Sequence, residues 1–344
     1  MQNNLSGFLP EQLTSHCIQG PSYRGIQLFR GIHHDLVTDI DAITTLPSSL
    51  RNDLKQRYKT VSSTLTGRSE DKDGTVKLSI TLSDGRTIEA VLLVDKTGRK
   101  TGCISTQHGC PMGCTFCKTG SMPDHRNLTA GEIVEQVNTL RREYGNLSNI
   151  VFMGMGEPLL NLEAVRESVD ILHHREGANI GYRKITLSTC GLVDGIRDLA
   201  ENGPPVRLAV SLTTARDELR NELMPVNRST PLSSLKEALL FYRKKRGKRI
   251  TLEYVLFGHV NDTAADVAAL AAFTEGMEVI VNIIPWNRVP EMDFQEPSPE
   301  QACKFAALLA ERGVKTTVRY SRGRGINGAC GMLGGEEASD VSWS

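Results

Sequence analysis

The sequence has 344 residues, and its 40 Lys and Arg balance 40 Asp and Glu for a formal charge of zero. That length holds one α/β domain of roughly 200 to 250 residues plus a smaller one, and a zero total leaves any nucleic-acid contact to local basic clusters. No apolar run approaches the roughly 18 residues a membrane helix needs, and the start lacks a basic segment followed by an apolar one, so a cytoplasmic protein without membrane attachment is expected.

Residues 1–65 read as a separate N-terminal helical domain, with helices expected over 36–43 and 49–58. In the next stretch, 66–98, Val76, Leu78, Ile80 and Leu82 alternate with polar residues, Asp84 and Gly85 make a turn, and an apolar run resumes over 88–94. That is the pattern of a β-hairpin. From 99 to 334, short β-rich runs at 103–106, 150–153, 184–188, 207–212, 250–256, 279–284 and 315–320 alternate with helical stretches at 130–144, 162–174, 232–245, 264–274 and 299–311. Strand and helix in alternation imply a parallel sheet, open or closed into a full or partial barrel, with reactive residues beyond the C-terminal ends of its strands. Residues 335–344 read as a C-terminal tail.

In a reducing compartment the eight cysteines, at 17, 103, 110, 114, 117, 190, 303 and 330, suit metal or redox chemistry better than a disulfide framework. Three lie in Cys110-Pro-Met-Gly-Cys114-Thr-Phe-Cys117, directly after the first core strand. Three thiolates on one loop suit a four-iron cluster with one iron left without a protein ligand. That iron is open to the amino and carboxylate groups of S-adenosylmethionine. The alternative is a structural zinc, with His108 or His125 as fourth ligand. A second segment, Val151-Phe-Met-Gly-Met-Gly-Glu-Pro, runs from an apolar strand into a loop where Gly154 and Gly156 allow close backbone approach and Glu157 is an acceptor for an ammonium group. Basic clusters occur at Lys244, Lys245, Arg246, Lys248 and Arg249, and at Arg319, Arg322 and Arg324. For an isolated cluster of this kind a solvated helix end or loop is the favoured reading.

Together with the motifs KITLSTCG, AVSLTTA, RNELMPVNR, ITLEYVLFGHVND, IIPWN and ACG, these segments resemble the radical S-adenosylmethionine RNA methyltransferases of the RlmN and Cfr family over nearly the whole span from Arg24 to Leu333. The resemblance implies a partial β/α barrel preceded by a small helical, RNA-binding domain and a β-hairpin. It implies a [4Fe–4S] cluster on Cys110, Cys114 and Cys117, and two S-adenosylmethionine molecules per turnover. It places cofactor contacts at Gly156, Glu157, Ser188, Ser211, Leu212, Thr213 and Asn287. Cys330 becomes the methyl carrier, Cys103 the resolving thiol that pairs with it in a transient disulfide, and Glu89 the proton acceptor. From the residues alone Cys330 reads as an inert near-terminal thiol, while Cys103 is equally well a small buried hydrophobe and Ser188 a capping residue.

The implied substrate is C2 of an adenosine in 23S ribosomal RNA, with transfer RNA as a second candidate and C8 methylation, or a radical reaction on a non-RNA substrate, as alternatives. The implied electron donor is flavodoxin-like, and a monomer is expected. Thr213, Arg324, Gly325 and Met332 depart from the family pattern and mark a divergent member. Cys17, Cys190 and Cys303 are expected simply to be buried.

Overall fold

A computed structural model describes residues 3–334; the expected tail at 335–344 lies outside the described residues. One ten-stranded sheet organises the chain, and its strands lie side by side in sequence order. The first three, β1 (Thr64–Glu70), β2 (Val76–Thr81) and β3 (Thr87–Val94), form an antiparallel meander. β3 pairs antiparallel with β4 (Lys100–Cys103), from which the sheet runs parallel through β5 (Asn149–Phe152), β6 (Ile185–Thr189), β7 (Arg207–Ser211), β8 (Ile250–Leu256), β9 (Val279–Pro285) and β10 (Thr316–Val318). β1 and β10 are the two edges, so the β/α barrel is partial. The inner strands β5, β8 and β9 are largely apolar because helices cover them.

The main helices are α1 (Ser22–His33), α2 (Ser48–Arg57), α3 (Ala130–Tyr144), α4 (Leu162–His173), α5 (Val193–Asn202), α6 (Asp217–Leu223), α7 (Leu232–Arg246), α8 (Ala264–Thr274) and α9 (Pro299–Glu311). α3, α8 and α9 open with reciprocal capping boxes, Thr129 with Glu132, Thr263 with Asp266 and Ser298 with Gln301, which satisfy the first free backbone N–H groups.

The N-terminal segment packs onto α3. Arg141 donates to His33 O at 2.5 Å, and the Glu135 carboxylate accepts from the backbone N of Ser62 at 2.7 Å and of Ser63 at 3.0 Å. Its buried Leu5, Leu13, Leu28 and Phe29 join the same apolar core as the sheet. Residues 36–43 are not the expected helix: Leu36 is left-handed at φ 58° and only a short turn, Ile40–Ala42, forms. Cys303 is exposed on α9 rather than buried, since Ala302 and Phe305 take the inward positions.

Candidate active site

The cysteine triplet occupies the loop between β4 and α3. Within it Cys117 N donates to Cys114 O at 3.1 Å and Gly120 N to Cys117 O at 3.0 Å. Outside contacts fix the loop at both ends: Thr115 N donates to Leu223 O at 3.0 Å and Lys118 N to Gly331 O at 2.8 Å, and the Thr119 hydroxyl donates to Leu333 O at 2.7 Å. Phe116 packs edge-on against Phe257 at 5.5 Å in a satellite apolar cluster that also takes in Trp286, Ala329 and Met332. Burial pushes the Cys110 thiol up to about 12 and raises Cys114 and Cys117, with mutual repulsion among the sulfurs adding to Cys110 and Cys114. Thiols so placed stay protonated unless positive charge is supplied, which is what metal ligation does. Among the described residues no three His, Cys, Asp or Glu side chains are placed to hold a single metal ion. A cluster, with a separate iron under each thiolate, does not require the three sulfurs to converge on one point, and the donor set fits it.

The three cysteines line a cavity of about 180 Å³ formed beyond the ends of the parallel strands. Gly156, Glu157, Ser188, Ser211, Asn287 and Cys330 line it as well. The two loop glycines answer a packing demand first. A Cβ on Gly154 would stand 2.7 Å from Ser105 Oγ, and one on Gly156, which has φ 97°, 2.5 Å from Gln107 Cβ. The close approach is therefore to the chain's own segment 104–107, and it leaves backbone of the 154–157 loop facing the cavity. Glu157 is buried, and each carboxylate oxygen already accepts one backbone bond: from Leu159 N at 3.0 Å and from Cys190 N at 2.7 Å. Burial raises its pKa.

Two of the expected cofactor residues are not brought to the cavity. Leu212 and Thr213 are fully buried beside it, their N–H groups donating to Glu253 O at 2.9 and 3.2 Å. Thr213 is left-handed, φ 63°, and its hydroxyl has no partner among the described residues. Asn287 reaches the cavity but spends its amide on position, donating to Ser321 Oγ at 2.9 Å and to Cys330 O at 3.0 Å.

Cys330 is exposed and lines both this cavity and a second one of about 320 Å³, whose wall also carries Cys103. Crowding by surrounding atoms raises its pKa, and Arg319 opposes the rise. Cys103 is buried at the end of β4 and pushed up to about 12 by that burial, with Cys330 contributing. Both thiols are free. Glu89 lines neither cavity. It pairs with Lys77 at 2.9 Å, both side chains buried, and accepts from Gly334 N at 2.6 Å, directly behind the segment that carries Cys330. Of the departures, Arg324 pairs with Glu296 at 2.5 Å, Gly325 N donates to Asp71 at 2.9 Å, and Met332 fills the satellite apolar cluster.

The roles of three residues were not read from sequence, Arg319 having been named only as part of a basic cluster. Glu253 faces the first cavity from β8, 6 % exposed, with Oε1 accepting from Asn282 at 3.1 Å and Oε2 unpartnered among the described residues; a lone Glu inside the apolar run ITLEYVL was its only signal. Arg319, at the end of β10, lines both cavities. Arg220 is fully buried on α6. Its guanidinium donates to Cys190 O at 2.7 Å, Asn227 Oδ1 at 2.9 Å and Leu212 O at 3.1 Å, tying together the ends of β6 and β7.

The Radical SAM superfamily profile matches residues 104–271. A probable dual-specificity RNA methyltransferase RlmN of Treponema pallidum (strain Nichols) is 46% identical over 330 residues, covering 96% of this chain and 97% of that protein. One of Moorella thermoacetica is 43% identical over 341 residues, covering 96% of each. The crystal structure of a radical SAM methyltransferase from Sphaerobacter thermophilus superposes with a TM-score of 0.90 at 44% identity, over 96% of this chain and 98% of that one. The family implies an iron–sulfur cluster and S-adenosylmethionine, and the triplet loop and the cavity it lines have the donors for them. The chain belongs to the RlmN family of radical SAM RNA methyltransferases.

Proposed function

We propose that this chain methylates C2 of an adenosine in 23S ribosomal RNA, with transfer RNA as a further substrate, through an S-methylcysteine at Cys330. The observation that carries the reading is that two cavities meet at one sulfur: Cys330 lies on the wall shared with Cys110, Cys114 and Cys117 and on the wall shared with Cys103. The dual specificity in the relatives' names supports more than one RNA substrate.

When held by the three cysteines, the cluster supplies the single electron that splits S-adenosylmethionine. Cys330 accepts a methyl group on its sulfur from one S-adenosylmethionine. After one hydrogen atom is removed from that group at the expense of a second, its carbon bonds to the adenine ring. Glu89 then takes the proton from the ring carbon, reached when the 331–334 segment lifts from it, while the unpaired electron of the adduct is given up to the redox group that the three cysteines would hold. Cys103 sulfur attacks Cys330 sulfur: the S–S bond forms, the S–C bond breaks, and the electron pair left on carbon takes up a proton to complete the new methyl group. The enzyme works as a cytoplasmic monomer, reduced by a flavodoxin-like donor.

The test is anaerobic turnover of reconstituted enzyme on unmodified ribosomal RNA and transfer RNA with methyl-labelled S-adenosylmethionine, followed by mass spectrometry of the nucleosides. Label in 2-methyladenosine with wild type and none with Cys330→Ala is the expected result. Label in 8-methyladenosine overturns the ring position. Deoxyadenosine formed with no RNA methylated leaves the radical chemistry standing and removes the RNA substrate.

A further inference from the structure

We infer that the 320 Å³ cavity receives the flipped-out target nucleotide, with Tyr320 as the surface on which a base stacks and Arg99 as a phosphate contact at its mouth. The assignment rests on the reading of this chain as an RNA methyltransferase that reacts through Cys330.

The two cavities divide the chemistry between them. None of the three triplet cysteines lines the larger one, and Cys103 does not line the smaller; Cys330 and Arg319 belong to both walls. A group entering the larger cavity therefore meets both Cys330 and Cys103 without displacing anything held at the triplet. Its volume falls within the roughly 300–1,000 Å³ of sites that hold small organic groups. Its walls are basic in a chain of zero net charge: Arg99, Arg319 and Arg322 against Asp95 give +3 − 1 = +2. Arg322 is anchored on Val94 O, whereas the Arg99 side chain is 57% exposed and bonded at 2.9 Å to Asp95. Arg324, its neighbour in the sequence cluster, is turned away to Glu296. Tyr320 is one of the few large apolar side chains exposed among the described residues, 52% exposed, and lines this cavity.

An aromatic face beside guanidinium groups is the recurrent chemistry for unstacked bases and their phosphates. A base inside folded RNA has to leave its stack to reach a sulfur in a concavity, and unstacking is offset by a new stacking partner.

The experiment measures binding of full-length, cluster-loaded enzyme to an RNA hairpin that the wild type methylates, and to the same hairpin with the target base removed to leave an abasic sugar. Tyr320→Ala is expected to weaken binding of the intact hairpin about tenfold, the effect of losing one base–aromatic stack. It should change binding of the abasic hairpin by less than about twofold, since the two deletions remove one interaction. Tyr320→Phe should restore the intact-hairpin affinity. Arg99→Gln should reduce the slope of log affinity against log salt by about 0.7, one phosphate contact on single-stranded RNA. Equal losses on both hairpins for Tyr320→Ala, or a Tyr320→Phe protein as weak as the alanine variant, overturn the stacking role while leaving RNA methylation intact. A wild type that methylates no RNA overturns the functional reading and this assignment together.

Discussion

Replacing Arg220 with Met keeps most of the side-chain volume and deletes three hydrogen bonds of 3.1 Å or less, to Cys190 O, Leu212 O and Asn227 Oδ1, in a site with no water access. Each bond from a charged donor contributes roughly 1.5–3 kcal/mol, and each buried acceptor left empty costs about 1–3 kcal/mol. Relief of the buried guanidinium, whose pKa burial lowers, offsets part of that. The net expectation is a loss of about 3–5 kcal/mol, the range seen when one member of a buried charged network is removed. Local consequences follow, because Cys190 N also holds Glu157 at 2.7 Å. Freed at its carbonyl, Cys190 shifts that carboxylate, and affinity for S-adenosylmethionine should fall about tenfold or more. Anaerobic urea unfolding gives the first quantity and titration calorimetry the second. A variant within about 1 kcal/mol of wild type, with an unchanged urea slope and unchanged cofactor affinity, would refute the view that Arg220 organises the ends of β6 and β7.

Other expectations follow from the same geometry. Gly156→Ala puts a Cβ 2.5 Å from Gln107 Cβ and 2.8 Å from Gln107 N in a backbone with φ 97°; calorimetry should show at least a tenfold loss of cofactor affinity, and normal binding would contradict the packing role. Cys114→Ser should lower iron from roughly four per chain to near zero with loss of brown colour; zinc in the wild type, measured by elemental analysis, would support the structural-zinc alternative instead. His33 is buried where α1 meets α3, and burial, followed by the nearby Arg141 and His174, lowers its pKa from 6.5 to about 3. A depressed folded pKa means the unfolded chain binds the proton first. Stability from this group is therefore complete above pH 6.5 and declines as pH falls toward 3, by about 1.4 kcal/mol per pH unit. Urea unfolding at pH 7, 6 and 5 should show that decline flattened in His33→Gln, and parallel curves for the two proteins would count against it.

Much of the barrel was legible because its periodicities are strong. The strand at 250–256 and the helices at 130–144, 264–274 and 299–311 have the expected bounds, set by continuous apolar runs and by capping boxes spelled out in the sequence. β1 was not legible: TLTGRSE is a polar edge strand with little apolar alternation. α5 and α6 are short and carry several charges, so each offers only a few apolar positions to read, although Ile196, Leu199 and Ala200 of α5 share one buried face. The first core strand ends at Cys103 rather than beginning there, since Lys100 and Thr101 pair with Val94 and Leu93 despite their polarity. In the site, residues on loops after strands were readable from motifs. Glu253, Arg220 and Arg319 were not, because their roles arise from which buried atoms they face, and one-dimensional spacing carries no record of that.

The bonds from Lys118 to Gly331 and from Thr119 to Leu333 give the triplet loop an assembly order. Thr119 and Leu333 are 214 positions apart, which at 5–20 residues per second corresponds to roughly 10–40 s of synthesis. During that interval the three thiols have been made but their loop lacks its far-side clamp, and the sulfur at Cys330 does not yet exist. Iron delivered early meets three cysteines on a free segment; iron delivered after the last strand meets a finished cradle. The architecture thus ties the finished form of the triplet loop to the arrival of the segment that carries Cys330.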